Sequence, residues 1–157
     1  TYYMMHYRPG FRKEEGPRLT GHILILGYGT VSRQILGMLK ETGRQILILD
    51  DDAQVVADLR RQGLMAFSGD SRNNRQMLGV ASIRTAHLVL SFARRLEDSV
   101  HVVRLARGGT AKVVVRVFDD AAAELIRKAG GIPINCLDSA VTEFIKWFEE
   151  RSLIGQN

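Results

Sequence analysis

The stretch His22-Ile23-Leu24-Ile25-Leu26-Gly27-Tyr28-Gly29-Thr30-Val31-Ser32 constrains this chain more than any other. An apolar run with the length of a buried strand enters a Gly-x-Gly-x-x-Ser turn, and apolar residues at Val31, Ile35, Leu36 and Leu39 then recur with helical spacing. A second apolar run follows and closes on Asp50. A strand, a glycine turn, a helix and an acidic residue about twenty positions on form the pattern of a dinucleotide-binding βαβ unit. The first glycine makes the tight turn, and the second lets backbone N–H groups approach a phosphate at the helix N-terminus.

The same alternation continues along the chain. Strands are predicted at His22–Leu26, Gln45–Leu49, Leu64–Phe67, His87–Ser91, Lys112–Val117 and Ile132–Asn135, with amphipathic stretches between them. Runs such as Ile46-Leu47-Ile48-Leu49 and Val113-Val114-Val115 are continuously apolar, as strands covered on both faces require. The fold class that follows is α/β: a Rossmann-like, doubly wound, parallel six-stranded sheet with a C-terminal helix. Right-handed crossovers put the loops after the strands along one edge, and the ligand crevice belongs where the strand order reverses. Asp51 or Asp52 is expected to cap the helix after the second strand, Asp119 or Asp120 the one after the fifth, and Gly130-Gly131 to end the latter.

With 157 residues, 45% of them hydrophobic, the chain suits one core. The expected division is a basic arm over 1–20, holding Arg8, Arg12, Lys13 and Arg18 among prolines and glycines, a nucleotide-binding domain over 21–153, and a tail over 154–157. Tyr2-Tyr3-Met4-Met5 with Tyr7-Arg8 suits the flank of a membrane segment, a cut end or a tag scar. No run approaches the roughly twenty apolar residues that span a bilayer. The single cysteine, Cys136, rules out an intrachain disulfide framework and is read as a small buried hydrophobe. A net charge of +5 raises the question of nucleic acid, but no basic helix or aromatic platform supports it.

Several side chains are candidates for the crevice. Asp50 suits the two hydroxyls of an adenosine ribose, with helix capping the plainer role; Asp70 suits an adenine amino group or a turn. Ser91 and Phe92 end the fourth strand, and Arg116 near the end of the fifth suits a phosphate. Arg94 and Arg95 are assisting residues or a solvated pair. His6, His22, His87 and His101 are scattered, and no catalytic dyad or metal-ligand spacing emerges. Asp138–Leu153 carries Val141, Phe144, Ile145 and Phe148 on one face, broadened by Trp147. That face packs on the chain's own sheet or forms a subunit interface.

These residues together carry a resemblance. Gly27-Tyr28-Gly29-Thr30-Val31-Ser32, Ile48-Leu49-Asp50, Ala66-Phe67-Ser68-Gly69-Asp70-Ser71, Met77-Leu78 and Ala86-His87-Leu88-Val89 resemble the nucleotide-binding domain of the RCK/KTN family, also called TrkA-N. Ala106-Arg107, Val113–Val117 and Ala123-Glu124-Leu125-Ile126 continue the match. The resemblance implies a regulatory domain on the cytoplasmic face of the membrane, serving potassium channels, uptake systems or antiporters and binding NAD(H), ATP, ADP or AMP. It implies ligand contacts at Gly27, Tyr28, Gly29, Thr30, Val31, Asp50, Asp70, Ser71 and Arg116. Asp51, Ser91 and Phe92 complete the candidate set. It further implies self-association, as a dimer or ring, through the Asp138–Leu153 helix. The missing catalytic set points to no enzymatic activity, and the lack of a basic helix or aromatic platform to no nucleic-acid partner. Ser32, Thr30, Phe92-Ala93-Arg94-Arg95 and His101 depart from the family pattern. The competing expectation is a fragment of an NAD-dependent oxidoreductase without its substrate domain.

Overall fold

The computed structural model of the chain describes residues 18–151. Most of the basic arm, His6, Leu153 and the 154–157 tail lie outside the described residues. The elements run β1 (Ile23–Leu26), α1 (Thr30–Lys40), β2 (Ile46–Asp50), α2 (Ala53–Arg61), β3 (Met65–Ser68), α3 (Asn74–Leu78), β4 (Leu88–Ser91), α4 (Leu96–Leu105), β5 (Lys112–Val117), α5 (Asp120–Ala129), β6 (Ile132–Asn135) and α6 (Cys136–Glu150). The first four strands each start one residue later than their apolar runs, because the hydrogen-bond ladder sets their ends. The five-residue α3 is too short for a helical period to show in the sequence.

All strand pairings are parallel, in the order β3-β2-β1-β4-β5-β6. This is the doubly wound arrangement, with its switch point between β1 and β4. β1 shows why the sequence demands it. Successive side chains point to opposite faces of a strand. Leu24 and Leu26 enter a core shared with Val89, Val102, Val115 and Ile126, whereas Ile23 and Ile25 enter another shared with Leu36, Ile48, Val56 and Leu59. Both sets are buried, so both faces must be covered by helices. Each such side chain contributes about 1.5–3 kcal/mol on burial.

Helix ends obey local chemistry. Asp52 caps α2, accepting from the Gln54 N–H at 2.8 Å, and Asp119 caps α5, accepting from the Ala122 N–H at 2.7 Å. Gly130 closes α5 with a φ of 102°. The last helix starts at Cys136 rather than Asp138, because Asn135 at the end of β6 is its cap and accepts from the Leu137 N–H at 3.0 Å. Cys136 therefore sits half-buried at a helix start, not in the core.

The final helix does not lay its apolar face on the chain's own sheet. Leu137, Val141, Phe144, Ile145 and Trp147 are all exposed, as are Ile132 and Ile134 of the edge strand β6. Among the described residues no helix is long and apolar enough to cross a membrane.

Candidate functional site

At the C-terminal edge of the sheet, backbone bonds draw four strand ends together. Gly27 N–H donates to the Leu49 carbonyl at 2.8 Å, Gly69 N–H to that of Asp50 at 2.9 Å, and Phe92 N–H to that of Leu26 at 2.9 Å. Above them opens a cleft of about 570 Å³, within the range of small-molecule sites.

The two turn glycines have different reasons to be there. Gly27 has a φ of 91°, which a side chain resists, and a Cβ on it would stand 3.5 Å from Cβ of Phe92. Gly29 is extended, at φ −133°, and a Cβ there would meet nothing within 4 Å. The chain's own packing therefore does not require glycine at 29; what its hydrogen side chain preserves is open space in the cleft. The first bond within α1 runs from the Arg33 N–H to the Gly29 carbonyl at 3.0 Å. The N–H groups of Thr30, Val31 and Ser32 accordingly project from the helix N-terminus.

Two polar groups hold this turn. Ser32, which is 1% exposed, donates its Oγ proton to the Gly27 carbonyl at 2.8 Å. The residue that replaces the usual small one thus bolts the turn to the helix. Asp50 Oδ2 accepts from the Tyr28 N–H at 2.7 Å, and Oδ1 from the Asp52 N–H at 2.8 Å. The Tyr28 N–H is consequently committed to Asp50 rather than to the open end of the helix. Each carboxylate oxygen keeps a further lone pair for a hydroxyl.

Asp70 accepts from the Arg72 N–H at 2.8 Å and pairs with its guanidinium at 2.6 Å. Those bonds hold its carboxyl below the usual carboxylate range, and Asp70 is anionic at neutral pH. Across the cleft, Arg116 donates to the Phe92 carbonyl at 3.2 Å and lies between two rings, 5.5 Å from Phe92 and 5.3 Å from Phe118. Its buried Nε has no hydrogen-bond partner among the described residues.

Of the candidate residues, all but Thr30 and Ser91 line the cleft, and Arg94 and Arg95 line it too. Thr30 opens α1 with its side chain outside the lining. Ser91 is 1% exposed and its hydroxyl lies 3.2 Å from that of Ser99 on α4, beneath the cleft floor. Arg72, Asp52 and Asp98 also contribute to the wall and were not anticipated as lining. The position of Arg72, two residues beyond Asp70 in a turn, is the signal that would have found it.

The histidines stand elsewhere. His22 is fully buried at the opposite end of β1, with Nε2 2.8 Å from the Ala81 carbonyl, and burial pushes its pKa down. His101 Nε2 is 2.5 Å from Asn74 Oδ1 on the α3–α4 side. Among the described residues no three His, Cys, Asp or Glu side chains are grouped to hold a metal ion.

Comparison with known proteins agrees with this fold. The TrkA-N domain of the inner membrane protein ybaL from Escherichia coli superposes with a TM-score of 0.75 at 18% identity, over 83% of this chain and 98% of that one. The GsuK channel bound to NAD gives a TM-score of 0.68 at 19% identity, over 84% of this chain and 24% of that one. GsuK bound to ADP gives 0.68 at 19% identity, over 83% and 35%. This chain therefore spans a quarter to a third of those channel chains. No curated protein matches it by sequence search. The profile of the TrkA-N domain matches residues 23–141, from β1 into α6, and the chain belongs to the TrkA-N family.

Proposed function

We propose that this chain is a nucleotide-responsive regulatory domain. An adenine nucleotide, NAD(H), ATP, ADP or AMP, binds in the cleft and biases potassium transport by a channel, uptake system or antiporter attached to or associated with it. Gly29 carries the reading: it is a glycine that internal packing does not need, at a helix N-terminus, inside the cleft of a TrkA-N domain.

In this reading the pyrophosphate or phosphate lies over Gly27–Val31, where the free N–H groups of α1 and the helix dipole favour negative charge. Asp50 takes the ribose hydroxyls with its remaining lone pairs, and Asp51 adds negative charge that disfavours a 2′-phosphate. Asp70 and Ser71 border the adenine side, and Phe92 and Arg116 the other. The GsuK structures with NAD and ADP give the same ligand class in the same fold. The domain sits at the cytoplasmic face of the membrane, pairs with a second copy through the exposed face of α6, and catalyses no reaction. Ligand binding acts by differential affinity for two arrangements of the paired domains, each tenfold difference supplying about 1.4 kcal/mol.

Calorimetry with ADP, ATP, AMP and NAD(H), combined with sedimentation of the chain with and without nucleotide, tests this. The expected result is one nucleotide per chain and a nucleotide-dependent change in association. Failure of every adenine nucleotide to bind contradicts it, and turnover of NADH with a carbonyl substrate would instead support the oxidoreductase fragment.

A further inference from the structure

The cleft is electrically divided. On the β2–β3 side stand Asp50, Asp51, Asp52 and Asp70, with Arg72 as their cation; on the β4–β5 side stand Arg94, Arg95 and Arg116, with Asp98. Arg95 has only a loose, exposed pair with Glu97 at 3.9 Å, and Arg94 and Arg116 form no ion pair with the described residues.

Arg116 is the informative member. Its guanidinium is fixed by two aromatic faces and one carbonyl, and its buried Nε has no acceptor among the described residues. Keeping a charge half-buried without a counter-charge is costly, and the cost falls when an anion arrives. Phe92 packs against the backbone of Gly27, so this cation stands beside the glycine turn and not at a remote edge.

Resting on the nucleotide reading above, we propose that the β4–β5 half of the cleft is a subsite for the terminal phosphate of a nucleoside diphosphate or triphosphate, so that this chain takes ADP or ATP in preference to NAD(H). A phosphate chain anchored at the α1 N-terminus continues toward Arg116 and the Arg94-Arg95 pair. The alternative occupant of that half is a nicotinamide riboside. Its hydroxyls and carboxamide are neutral acceptors that gain less from guanidinium donors than an anionic phosphate does, and the oxidised ring is itself cationic.

Calorimetry on the 157-residue chain, with thermal melts of each variant, decides the matter. ADP or ATP is expected to bind at least about tenfold more tightly than NAD+ or NADH, as one charge-assisted phosphate contact supplies. The exposed double substitution R94S/R95S is expected to weaken ADP about tenfold and AMP less than about twofold, and Arg116→Gln to do the same. NAD(H) binding as tightly as ADP, or an equal loss for AMP and ADP in the variants, overturns the subsite and leaves nucleotide binding itself standing. Absence of binding by every adenine nucleotide overturns both.

Discussion

β1 and β6 are both four-residue parallel strands built largely from isoleucine and leucine or proline, and each leads into an amphipathic helix. In β1 every side chain is buried and the following helix sinks Ser32, Leu36 and Leu39 into the core. In β6, Ile132 and Ile134 are 44% and 54% exposed, and the following helix leaves Phe144 61% exposed. Their place in the sheet makes the difference. A central strand has neighbours on both edges and helices on both faces, whereas β6 has one neighbour and α6 points outward. Apolar residues at the centre specify the fold; the same residues at the edge stay exposed, on the face through which pairing is proposed.

The contrast can be broken by mutation, and the core should respond most. Leu24→Ala is expected to cost about 2–5 kcal/mol in urea unfolding, with no dependence on protein concentration. Ser32→Ala, which removes a buried hydroxyl and strips the donor from the half-buried Gly27 carbonyl, is expected to cost about 1–2 kcal/mol and to weaken nucleotide binding as well.

A smaller effect comes from pH. His22 donates from Nε2 to the Ala81 carbonyl and is held neutral by burial, its pKa lowered from the ordinary 6.5. Since the unfolded chain binds the proton first, stability is full above that value and falls as pH drops through it toward the folded pKa. The urea midpoint is expected to decline between pH 7.5 and pH 5.5, and His22→Gln to flatten that decline. A midpoint that is level over this window in the wild type contradicts the assignment.

Phe144→Ser should have the least effect on the single protomer, within about 0.5 kcal/mol, because Phe144 is 61% exposed and, among the described residues, its ring neighbours are Trp147 and Phe148 of its own helix, with centroids at 5.9 and 6.0 Å. Sedimentation, by contrast, should shift toward the protomer. Loss of protomer stability equal to that of Leu24→Ala would erase the distinction between centre and edge.

The centre was legible because its information is local. Residues 22–32 contain both the strand run and the glycine spacing, and Asp50 follows at the usual interval. What resisted reading depends on the third dimension. When both faces of a strand are apolar, parity cannot be read from the run, so Ser91 looked like a cleft residue although it points down to Ser99. The commitment of Tyr28 N–H to Asp50, and of Ser32 to the Gly27 carbonyl, joins segments whose approach only the folded turn defines. The fold-back of Arg72 onto Asp70 is likewise a property of the turn after β3.

Gly29→Asp separates nucleotide binding from folding at a single position. Position 29 is the N-cap of α1, in extended backbone with open space around it, so aspartate fits there and caps the helix better than glycine. The same carboxylate would occupy and repel the place assigned to the phosphate. The variant is expected to melt at or above the wild-type temperature, with adenine nucleotide binding in calorimetry reduced at least about a hundredfold. Wild-type affinity in a fully folded Gly29→Asp chain would contradict that assignment.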